Sequence, residues 1–104
     1  MAIGFVFEAK GVTQAQYDQV RKETSPDNTL PKGMLYHAGG PIDGGWCVIE
    51  VWESEEIATR YMKDVLKASL TRAKIDVKPK MFPVHNIMKR DQQRDTTPRA
   101  QPHS

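Results

Sequence analysis

Residues 34–53 read MLYHAGGPIDGGWCVIEVWE, and the fold turns on how this stretch is divided. Two apolar runs, Met34 to Ala38 and Trp46 to Glu53, flank a centre made of Gly, Pro and Asp. Asp43-Gly44 is the kind of dipeptide that accepts positive φ in a two-residue hairpin turn. A turn there makes the flanking runs antiparallel strands joined through Gly39–Gly45, and it sets His37 directly across from Glu50. Period-two alternation then puts both side chains on the face that carries Trp46, Val48 and Trp52. A longer connection through Gly39–Gly45 with a one-residue slip would move His37 to the face of Ile49 and Val51 instead.

Working outward, Ala2 to Glu8 is rich in Phe, Val and Ile and reads as a strand. Thr13-Gln14-Ala15-Gln16 is a capping box opening a helix to about Glu23 that buries Val12, Tyr17 and Val20. Ser25-Pro26-Asp27-Asn28 and Pro31-Lys32-Gly33 are loop chemistry. Ser54 caps a second helix, and Glu55 and Glu56 complement its positive end. Ala58, Tyr61, Met62, Val65, Leu66, Ser69, Leu70 and Ala73 form its apolar stripe. Lys67-Ala68-Ser69 is a weak point where that helix is expected to break. Arg60, Lys63, Lys67 and Lys74 lie off the stripe and read as a solvated surface. Lys80 to Met88 is expected as a fourth strand. The order is βαββαβ, the ferredoxin-like α+β plan, with an antiparallel sheet ordered 4-1-3-2.

All eight aromatic residues lie before residue 89. Residues 1–88 form one domain, whereas 89–104 is a polar segment expected to be mobile. The chain's net charge of +2 resides in that segment, and residues 1–88 balance acidic against basic groups. A nucleic-acid module carries its basic face on the folded domain, so that class is disfavoured. No apolar run approaches a membrane span, and the apolar N-terminus lacks the basic lead of a signal peptide. The single cysteine, Cys47, fits a reducing cytoplasm and reads as a small buried hydrophobe.

The strands do not alternate as a singly covered sheet should. The first offers Ile3, Phe5 and Phe7 on one side and Val6 on the other. The third offers Trp46, Val48 and Trp52 against Cys47, Ile49 and Val51. Two helices cover one face, so the other is expected to meet a second copy of the chain, or else to line a ligand cavity.

Walker, dinucleotide-binding and His-Glu-x-x-His patterns are absent, as is paired-cysteine metal spacing. His37 and His85 fall on opposite sheet edges, too far apart to share a metal within one subunit. A carboxylate beside an imidazole fixes its tautomer and favours its charged form, as a general base requires. The same His37–Glu50 pair on an edge hairpin would also arise simply to satisfy cross-strand hydrogen bonding.

The runs Tyr36-His37-Ala38-Gly39-Gly40-Pro41, Gly45 to Ser54 and Pro83-Val84-His85-Asn86 resemble small bacterial proteins of the dimeric α+β barrel superfamily. That group includes antibiotic-biosynthesis monooxygenases, haem-degrading monooxygenases, muconolactone isomerases and stress-response barrel proteins. The resemblance covers about residues 2–88 and implies a homodimer with a pocket for a small apolar or aromatic ligand. Haem-degrading members place a histidine on the second helix. No histidine lies between Ser54 and Lys74, so haem is not expected; the resemblance to cofactor-free members implies no other cofactor. Cofactor-free oxygenases of the group hold a phenolic substrate among Trp, Asn and Tyr or His groups. Trp52, Tyr61, His37 and Asn86 match those residue types, and the hairpin register makes His37 the expected base with Glu50 its orienting partner. Tyr36, Trp46, Trp52, Tyr61, His85 and Asn86 are the expected ligand contacts. Two functions stay open, a cofactor-independent monooxygenase- or isomerase-like enzyme on a small aromatic or polyketide-like molecule, and a non-catalytic ligand-binding or stress-related homodimer.

Overall fold

The computed structural model describes residues 1–90; the 89–104 segment lies outside them from residue 91 onward. The elements follow in the order β1 (Ile3–Lys10), α1 (Gln14–Thr24), β2 (Met34–Ile42), β3 (Gly45–Trp52), α2 (Glu55–Tyr61), a π-helical turn (Met62–Leu66), α3 (Lys67–Arg72) and β4 (Lys80–Pro83). The four strands form one antiparallel sheet ordered β2-β3-β1-β4. This is the ferredoxin-like α+β arrangement.

The hairpin closes at Asp43-Gly44, with Gly44 at φ 78°. The glycines expected in a loop instead continue the strands, Gly39 pairing with Val48 and Gly40 with Cys47. Pro41 is tolerated there because β2 is a sheet edge, where a missing N–H need not break a ladder. Between Met34 and Tyr36 the register shifts by one residue, a β-bulge. Met34 and His37 are an odd number of residues apart, and only the bulge lets both face the helices.

On that face Ile3, Phe5, Phe7, Met34, Trp52 and Ala58 make the core. Trp52 is fully buried and packs against Tyr61, ring centroids 5.1 Å apart. The Thr13 capping box forms as expected, Gln16 N–H donating to Thr13 Oγ1 and Thr13 N–H to Gln16 Oε1.

Two further expectations need correction. The fourth strand stops at Pro83 rather than reaching Met88, because β1 begins at Ile3, the partner of Pro83. Val84 N–H still reaches Ala2 O at 2.9 Å, and the chain then leaves the sheet. The second correction is in the helical stripe. Lys67-Ala68-Ser69 is regular helix, and the irregularity is the π-helical turn Met62–Leu66 just before it, on which Val65, expected in the apolar stripe, is 40% exposed. Leu66, Ser69, Leu70 and Ala73 stay on the inner side, with Ser69 and Ala73 buried.

Candidate active site

His37 and Glu50 pair directly across β2 and β3. Nδ1 of His37 lies 3.0 Å from Glu50 Oε2, and both side chains are nine-tenths buried or nearly so, at 10% and 8% exposure. A buried carboxylate is costly unless each oxygen finds a donor. Glu50 has one for each, His37 on Oε2 and the indole N–H of Trp52 on Oε1 at 2.9 Å. With Glu50 ionised, the His37 proton belongs on Nδ1 and Nε2 is left as an acceptor. That acceptor is taken by the Tyr17 hydroxyl at 2.7 Å, so Tyr17 donates to His37. A continuous chain runs Tyr17–His37–Glu50–Trp52 from α1 to the centre of the sheet.

Tyr17 is held by shape as well as polarity. Its ring lies 5.3 Å from that of Trp46 and 6.0 Å from that of His37. Beneath it sits Gly39, where an added Cβ would come within 2.8 Å of the phenol carbon Cζ. Burial pushes the Tyr17 hydroxyl above the ordinary phenol range, and the Arg21 guanidinium one turn along α1 partly opposes this. It therefore stays a neutral donor at physiological pH. Tyr61, raised for the same reason, is likewise neutral.

A cavity of about 70 Å³ lies between the sheet and the helices, lined by Tyr17, Arg21, Thr24, His37, Trp46, Glu50 and Tyr61 among otherwise apolar groups. Leu66 on the π-helical turn and Leu70 form part of its wall. Two polar features are unmatched. The Trp46 indole N–H is buried with no acceptor among the described residues. Arg21 reaches only Asn28 Oδ1, at 3.3 Å, and none of the ion pairs among those residues includes it. Also among the described residues, no three His, Cys, Asp or Glu side chains converge as a metal site would require, and no helix is long and apolar enough to cross a membrane.

Of the residues singled out from sequence, His37, Glu50, Trp46 and Tyr61 line the cavity. Trp52 lies behind it, supporting Glu50. Tyr36 points to the opposite face, half exposed, and His85 and Asn86 are exposed beyond the end of β4. The structure does not bring those three to the cavity. Tyr17 and Arg21 are the groups that sequence reasoning missed. A glycine inside a strand is a sign of close approach by another group, and Gly39 was the available pointer to Tyr17.

No family model matches the chain, and no curated protein matches it either. Solved structures do. SnoaB, a cofactor-independent oxygenase from Streptomyces nogalater, superposes with a TM-score of 0.62 at 15% identity, over 84% of this chain and 96% of that one. A candidate antibiotic biosynthesis monooxygenase from Deinococcus radiodurans superposes with a TM-score of 0.57 at 12% identity, over 86% and 97%. The chain thus has the fold of the antibiotic-biosynthesis-monooxygenase-like proteins.

Proposed function

We propose that this protein is a cofactor-independent enzyme, monooxygenase-like or isomerase-like, acting on a small aromatic or polyketide-like molecule with an acidic O–H. The observation that carries the reading is the buried His37–Glu50 pair at the wall of an apolar cavity, on a fold shared with a cofactor-independent oxygenase. His37, oriented by Glu50, is the proton acceptor. Removing a proton from a phenol or enol leaves an electron-rich anion. That anion is what dioxygen attacks in monooxygenation, and what is reprotonated at carbon in isomerisation. In monooxygenation one oxygen atom enters the substrate and the other leaves as water, with the electrons drawn from the substrate itself. Arg21, in the last turn of α1 at the cavity wall and without a carboxylate partner among the described residues, compensates the charge that develops.

The free cavity is below the ~150 Å³ that houses one benzene ring. Ligand entry therefore displaces part of the wall, and of the lining residues Ile75 and Val77 lie in the irregular segment between α3 and β4.

Among the described residues nothing covers the second face of the sheet, and this supports a homodimer. Val6, Cys47 and Val51 are only partly covered there, and Tyr36, Ile49 and Phe82 are exposed. Together they form an apolar area of the kind that associates.

The test is turnover of hydroxylated aromatic and 1,3-dicarbonyl substrates under air with no added cofactor. Product formation that His37→Gln abolishes is the expected result. Binding without turnover, equal in wild type and variant, would replace the enzyme by a ligand-binding dimer.

A further inference from the structure

We propose that Tyr17 is the group that meets the ligand, and that the His37–Glu50 pair withdraws a proton through it. This rests on the reading of His37 as proton acceptor and extends it by one residue. His37 has two ring nitrogens, and both are occupied inside the protein, Nδ1 by Glu50 and Nε2 by Tyr17. No ring atom of His37 is left to receive a hydrogen bond from a ligand unless Tyr17 departs. Departure is opposed by the fit of the Tyr17 ring over Gly39 and against Trp46.

The Tyr17 proton is committed to Nε2, so the lone pairs of its oxygen are what it can offer the cavity. They suit a ligand O–H. When that O–H donates to Tyr17, two protons move in the same direction. The ligand proton passes to the Tyr17 oxygen as the Tyr17 proton passes to Nε2 of His37. The ligand O–H and the Tyr17 O–H break, a new Tyr17 O–H and a His37 N–H form, and the count of protons is unchanged. The products are a ligand oxyanion accepting from Tyr17, and an imidazolium facing the Glu50 carboxylate.

The buried Trp46 indole N–H fits the same ligand. It is a donor in the same cavity without an acceptor among the described residues, 5.3 Å ring to ring from Tyr17. Leaving it unmatched carries a desolvation cost that a ligand carbonyl would relieve. The two groups together select a compact molecule with a hydroxyl donor and a carbonyl acceptor close to one another.

The probe is 4-nitrophenol, whose phenolate has a visible band that its phenol lacks. Wild type is expected to bind it ionised at a pH where the free compound is neutral. Tyr17→Phe keeps the ring and the cavity shape, and is expected to bind the probe while losing the phenolate band. His37→Gln should lose the band too. If Tyr17→Phe ionises the probe as wild type does while His37→Gln does not, the relay is overturned and His37 acts directly. If both variants still ionise it, the reading of His37 as proton acceptor fails as well. A ligand-free arm uses ¹⁵N spectra of the imidazole at neutral pH. The expectation is a protonated Nδ1 and a bare Nε2 whose resonance shifts in Tyr17→Phe. A proton on Nε2 would overturn the direction of transfer.

Discussion

Glu50 is a charge placed in a core, and its two oxygens explain why the core tolerates it. Replacing it by Ala leaves the Trp52 N–H and the His37 Nδ1–H without acceptors at once. Glu50→Ala is therefore expected to cost about 3 kcal/mol in urea unfolding, in the range for breaking a buried pair. Glu50→Gln keeps an acceptor oxygen and should cost less than the alanine change. Equal and small losses in both would mean that the carboxylate is solvated rather than held. The His37–Glu50 contact was legible from sequence because one turn, Asp43-Gly44, sets the register of everything beside it. Tyr17 was not. Its meeting with His37 depends on how α1 crosses the sheet, and no local pattern encodes a crossing angle. Tyr36, His85 and Asn86 were named for their residue types alone, and type does not say which face or end of a strand a residue occupies.

At the scale of elements, the strands and helices were readable because caps and turn residues punctuate the chain. The bulge at Leu35 and the exact place of the π-helical turn were not, since both insert one residue without a distinctive composition. The joint between α1 and α3 is clearer. Glu23 on α1 accepts from Ser69 Oγ at 2.5 Å and from Arg72 at 3.0 Å. These hydrogen bonds, Ser69 first, hold the Glu23 carboxyl below the usual glutamate range. A carboxyl lowered in the folded state adds stability above its unfolded pKa, and that stability is lost as pH falls through the folded value. Stability should accordingly decline with acidification from the ordinary glutamate range downward. Glu23→Gln should flatten that decline in melts taken across the acid limb. An identical acid limb in the variant would show that the joint contributes nothing in solution.

For the whole molecule, the sheet face left open by the described residues sets the main expectation. Burying it at about 25 cal/mol per Å² is a strong drive for association. Sedimentation at micromolar concentration should give twice the chain mass, and Ile49→Asp, at the exposed centre of that face, should give the single-chain mass with the fold intact by circular dichroism. A wild-type monomer would leave the apolar face to be explained in another way. The connectivity of the sheet also has a consequence in time. β2 and β3 are neighbours in sequence, closed by a two-residue turn, whereas β1 must wait for β3 and then for β4 from the far end of the chain. Short closures are fast and distant ones slow. His37 and Glu50 are therefore expected to meet within the fast hairpin, before α1 delivers Tyr17 and before the cavity closes around them. On that order the Glu50 carboxylate is already partnered when water leaves it.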